Sequence, residues 1–102
     1  MFYRVTNLRF DEDRSDELLV WSESIRSTIE GISGLEFAEI VRTGKGEGIA
    51  IGVYSDEASY LASAEIVASV LSGLGEFLTS ASPTQSGSSI AAFRGRNTTD
   101  TS

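Results

Sequence analysis

The order of its segments constrains this chain more than any single residue does. A short alternating strand at 2–10 precedes a helix-like stretch at about 14–30. Two strands then flank a glycine-rich turn at 43–48, a second helical stretch covers about 56–71, and a last strand is expected near 88–94. The order β-α-β-β-α-β is a split βαβ pattern. It predicts an α+β protein with a four-stranded antiparallel sheet and both helices on one face. The other face is left bare, so something must cover it.

The first strand reads Phe2-Tyr3-Arg4-Val5-Thr6-Asn7-Leu8-Arg9-Phe10. Phe2, Leu8 and Phe10 share one face with Arg4 and Thr6, and Tyr3 and Val5 share the other with Asn7 and Arg9. Neither face is purely polar, which suits a sheet packed on both sides. Asp13 or Ser15 is expected to cap the first helix. Leu18, Trp21, Ile25, Ile29 and Ile32 then fall at helical spacing, and Gly31 and Gly34 end the stretch. The second strand covers Leu35–Arg42. In the third, Ile49, Ile51 and Val53 alternate with Ala50, Gly52 and Tyr54, so small residues leave space on one face. That space is either close helix packing or the floor of a cavity. Ser55 or Asp56 opens the second helix, whose stripe is Tyr60, Ala64, Val67, Leu71 and Leu74. Residues 80–89 are polar, contain Pro83 and read as a loop, and Ser89–Arg94 reads as the fourth strand. One domain over 1–94 and a polar tail at 95–102 complete the layout.

With 15 acidic against 8 basic residues the net charge is −7. Such a chain repels phosphate backbones, so nucleic acid is not an expected partner. No run approaches the ~20 apolar residues of a membrane span. Met1-Phe2-Tyr3-Arg4-Val5 has no basic region followed by an apolar run, so a cytoplasmic protein is expected. Cysteine and histidine are both absent. That removes Ser-His-Asp and Cys-His nucleophiles, the favoured zinc ligands and the usual axial imidazole of heme. No metal or cofactor is expected.

Few residues suggest chemistry. The 43–48 turn lacks the phosphate-loop spacing and is followed by a strand, so it reads as a hairpin. Asn97-Thr98-Thr99 matches a glycosylation sequon without a secretory context. Trp21 lies on the apolar stripe, either in the core or at a pocket wall. Asn7 is an amide on a sheet face and must find hydrogen bonds or water. Aimed into a cavity, it could orient a carbonyl or stabilise an oxyanion. Arg4, Arg42 and Arg94 sit within or at the ends of strands and need anions if buried, with Glu36 and Glu39 available. Tyr3, Tyr54 and Tyr60 either pack their rings or present hydroxyls to a pocket.

Gly52-Val53-Tyr54-Ser55-Asp56-Glu57-Ala58-Ser59-Tyr60-Leu61 resembles the hallmark of the antibiotic-biosynthesis-monooxygenase-like (ABM-like) family. There a strand ends in an aromatic residue, commonly tryptophan, and a serine and an acidic residue open a helix. Tyr54 occupies that tryptophan position. The opening Met1–Thr6 and the Gly34-Leu35-Glu36-Phe37 entry to the second strand are also similar, and the likeness extends over 1–94. The resemblance implies a ferredoxin-like domain that pairs as a dimeric α+β barrel, with a pocket between sheet and helices in each protomer. It implies a cofactor-independent monooxygenase acting on a small aromatic or quinol substrate, or else a non-catalytic dimeric binding or structural protein. Asn7 would then be the catalytic residue, and Tyr3, Trp21 and Tyr54 would bind the substrate. Other members degrade heme, and the iron-binding histidine used there has no counterpart in this chain.

A homodimer is also expected on physical grounds. Phe37, Ile40, Val41, Ile49 and Ile51 put apolar side chains on both faces of the central strands, and two helices cover only one. A monomer would expose more than the few hundred Å² of apolar patch that monomers usually tolerate.

Overall fold

A computed structural model describes residues 1–93 and 95. Its elements are β1 (Phe2–Phe10), a 3-10 turn (Glu12–Arg14), α1 (Ser15–Ser24), α2 (Arg26–Glu30), β2 (Leu35–Gly44) and β3 (Glu47–Tyr54), followed by α3 (Glu57–Ala62), α4 (Ala64–Leu74), a second 3-10 turn (Gly75–Phe77), β4 (Leu78–Ala81) and β5 (Gln85–Ser88). The sheet runs β2-β3-β1-β4, every pair antiparallel, and β5 also pairs with β1. This is the ferredoxin-like α+β arrangement that the segment order predicts.

The fourth strand lies elsewhere than expected. It falls on 78–88 in two pieces, and the segment expected to hold it, 89–93, has no regular structure, with Ile90 and Phe93 almost fully exposed. Arg94 and the tail from 96 onward, including Asn97-Thr98-Thr99, lie outside the described residues. The reason is geometric. The second 3-10 turn delivers Leu78 directly opposite Phe10, and Ser88 reaches Phe2, so eleven residues already span the nine of β1. A serine-rich composition hides such a strand, because an edge strand needs its backbone more than its side chains. Pro83 has no N–H to give the ladder and splits the strand. The Ser82 amide still donates to the Asn7 carbonyl at 3.0 Å.

Each expected helix is divided, the first at Ile25 and the second at Ser63. Serines compete for helical carbonyls there: the hydroxyls of Ser22, Ser24 and Ser63 donate to Leu18, Trp21 and Tyr60. Ser63 takes the inward place expected for Ala64 and is buried, whereas Ala64 is exposed. Asp11, rather than Asp13 or Ser15, caps the entry to the first helical layer. Asp56 caps α3 by accepting from the Ser59 amide at 2.8 Å. Two glycines are required by their backbone. Gly34 (φ 81°) would place a Cβ 2.2 Å from Ser59 Oγ, and Gly46 (φ 68°) turns the β2–β3 hairpin.

Two apolar clusters lie between sheet and helices. Phe2, Ile32, Tyr54 and Val67 form one, and Leu8, Phe10, Leu18 and Leu74 the other, with Leu71 touching both. The opposite face of the sheet carries Tyr3, Val5 and Asn7, which stand opposite Val53, Ile51 and Ile49. By register Phe37 and Val41 join them, and both are exposed. Among the described residues no helix is long and apolar enough to cross a membrane.

Candidate functional site

Between the two clusters the core does not close. A cavity of about 600 Å³ separates the sheet from α1, α2 and α4. Its floor shows why: Ala38 of β2 and Ala50 and Gly52 of β3 stand side by side in the ladder, where larger residues would fill the space. The small-residue face of the third strand is therefore a cavity floor, one of the two alternatives its sequence left open. Trp21, Ile25 and Ile29 form one wall and Val67, Leu71 and Leu74 another. The volume falls within the range of small-molecule sites, and so does a mostly apolar lining with a few convergent polar groups.

Trp21 is half-buried, with its ring 5.8 Å from that of Phe77. Gly73 makes room for it, since a Cβ there would meet Trp21 Cζ2 at 3.0 Å. Tyr54 closes the end of the cavity with 1% of its surface exposed. Its hydroxyl accepts a 2.8 Å hydrogen bond from Arg4 Nη1. The guanidinium carbon of Arg4 lies 4.7 Å from the Tyr60 ring centroid and 5.2 Å from that of Tyr54. The Tyr54 and Tyr60 rings meet edge to face at 5.6 Å, and Phe2 backs Tyr60 at 4.9 Å. The Tyr60 phenol sits below its usual range, first because Ser86 hydrogen-bonds it and then because Arg4 supplies a hydrogen bond and positive charge, against a burial that pushes the other way. Thr6 is buried and shares a 2.8 Å hydrogen bond with Thr84.

The structure brings Trp21 and Tyr54 together in this cavity and places Asn7 and Tyr3 on the other face of the sheet. Asn7 is exposed and lines a separate, more polar cleft of about 400 Å³ with Arg9, Thr43 and Glu47. Strand alternation sends residue 7 away from residues 4 and 6. The arginine partners also differ from expectation. Arg42 pairs with Glu12 at 2.6 Å, and Glu36 accepts from the Ser55 hydroxyl at 2.7 Å. Neither Glu36 nor Glu39 reaches Arg4. A signal for Arg4 was present in the sequence, since it is a charged residue on the same face as Phe2, Leu8 and Phe10.

No family model matches the chain, and no curated protein does. Solved structures do. A dimeric ferredoxin-like protein from an uncultured marine organism superposes with a TM-score of 0.71 at 15% identity, over 91% of this chain and 90% of that one. The heme-degrader MhuD of Mycobacterium tuberculosis, solved with two hemes in its active site, gives 0.69 at 13%, over 92% and 100%. A candidate antibiotic biosynthesis monooxygenase of Nitrosomonas europaea gives 0.67 at 8%, over 89% and 100%. At these identities the likeness is one of fold.

Proposed function

We propose that this chain, which has the fold of antibiotic-biosynthesis-monooxygenase-like proteins, acts as one of them: a homodimer that takes a small aromatic or quinol-type molecule into the cavity between sheet and helices. The cavity is the observation that carries the reading. In the oxygenase form of the proposal the substrate supplies the electrons. Dioxygen gives one atom to a ring carbon of the substrate, the ring loses one hydrogen from that carbon and one from a phenolic O–H, and the other oxygen atom leaves with these two hydrogens as water. The Tyr54 hydroxyl, polarised by Arg4, donates to the substrate oxygen, and Trp21 packs against its ring. Asn7 and Tyr3 then face the partner protomer across the bare side of the sheet. The histidine-free sequence offers no imidazole for heme iron.

Non-catalytic binding is the second reading. The position of Asn7, outside the cavity, favours it. Oxygen uptake with a panel of quinols separates the two. The oxygenase reading expects turnover that falls at least tenfold in Ala50→Leu, which fills the floor, and in Tyr54→Phe. Binding of the same quinols without uptake selects the second reading. Neither binding nor uptake overturns both.

A further inference from the structure

We propose that Arg4 is the recognition point for a carboxylate, so that the ligand of the cavity is an apolar or aromatic body carrying one acidic group. The inference rests on the cavity being a ligand site.

The pairing of the arginines points to it. Arg9, Arg14, Arg26 and Arg42 each form an ion pair, and each is at least two-fifths exposed. Water would already solvate those side chains, and pairs at such positions add little stability. Arg4 is half-buried against two rings, which is where a counter-charge matters most. Yet among the described residues no carboxylate lies within 4 Å of it. Acidic groups are not scarce, at 15 against 8 basic ones. Its side-chain partners among the described residues are the hydroxyls of Tyr54 and Tyr60, both neutral acceptors, and a guanidinium carries five N–H groups. The two tyrosine rings hold it in place, so little ordering is left for a ligand to impose.

The surroundings fit the same occupant. Arg4 lines the cavity beside Thr6, Ala50 and Gly52, in a lining that is mostly apolar and whose carboxylates, Glu23, Glu30, Glu36 and Glu39, are not paired with it. A planar guanidinium matches a carboxylate better than it matches a single hydroxyl. Arg4 lies on the helix side of the sheet, so a partner docked on the opposite face cannot supply the anion. At the rim, Arg26 pairs with both Glu23 and Glu30 and offsets one of their two negative charges.

Calorimetric titration with biphenyl-4-carboxylate and with biphenyl-4-carboxamide tests the assignment, because the two probes share size and shape and differ in charge. The acid is expected to bind the wild-type protein at least tenfold more tightly than the amide. Arg4→Gln should erase that preference, bringing the affinities for the acid and the amide to within about twofold of each other. Should the variant fail to fold, the wild-type protein decides alone: the Arg4 Nε–Hε resonance should move on adding the acid and stay in place with the amide. Equal binding of both probes, a preference that survives Arg4→Gln, or a resonance indifferent to the acid overturns the carboxylate site while leaving the cavity a ligand site. No binding of either probe overturns both.

Discussion

Trp21, Gly73, Arg4 and Tyr60 set what the cavity can do. Gly73 is the residue on which Trp21 rests, and Gly73→Ala tests that contact. Alanine gains up to about 1 kcal/mol of helix propensity over glycine. Against this, a methyl 3.0 Å from the indole forces a shift, at about 1–3 kcal/mol for an overpacked site. A net loss of stability of about 1 kcal/mol is expected in denaturant melts, together with a changed Trp21 emission maximum. Tyr60 supports a second prediction. In an alkaline titration followed at the phenolate absorbance, Tyr60 should ionise below the usual phenol range; Tyr60→Phe should remove that step and Arg4→Gln should move it to higher pH. Because the folded phenol ionises more readily than the unfolded one, its contribution to stability is absent at neutral pH and grows as pH rises through the lowered value. Trp21 and Tyr54 could be read as cavity residues from helical spacing and from the end of a strand. Asn7 could not be placed, because a lone amide on a strand with two mixed faces does not reveal which face meets the helices. The alternation Phe2, Arg4, Thr6, Leu8, Phe10 held that answer, and it points to Arg4.

Among the elements, the β2–β3 hairpin is fastened to the first helical layer by one side chain. Glu12 accepts from the Gly46 amide and from Arg42, both at 2.6 Å. The Gly46 contact and then Arg42 hold its carboxyl below the usual range. A depressed folded value means stability that is present above the unfolded pKa and lost as pH falls through the folded one. Glu12→Gln should therefore destabilise the protein at pH 7, and the gap between variant and wild type should close as the pH falls through the depressed carboxyl value, measured by thermal melts at decreasing pH. The hairpin, both helical layers and the first three strands were legible because periodicity and turn residues agreed there. The fourth strand was not. Its residues are serine, threonine, glycine and proline, and it owes its place to the point where the second 3-10 turn releases the chain. A strand specified by its neighbour's free backbone leaves almost no mark in its own side chains.

For the molecule as a whole, the bare sheet face carries the proposed dimer. Val5 and Ile51 stand opposite each other near its centre, and both are half-buried within one chain. Ile51→Glu puts a charge into that contact, and sedimentation should show monomer where the wild type sediments as dimer at micromolar concentration. A monomeric wild type would contradict the proposal. The free margin of β2 carries a different consequence. Ten residues long and almost wholly exposed, it offers unpaired amides and carbonyls to any other extended chain, and Phe37, Ile40 and Val41 give such a visitor oil to settle on. What deters stacking is charge, chiefly Glu36 and Glu39. With both replaced by glutamine, a molecule that otherwise keeps to itself would acquire the means to grow, copy upon copy, into ribbons.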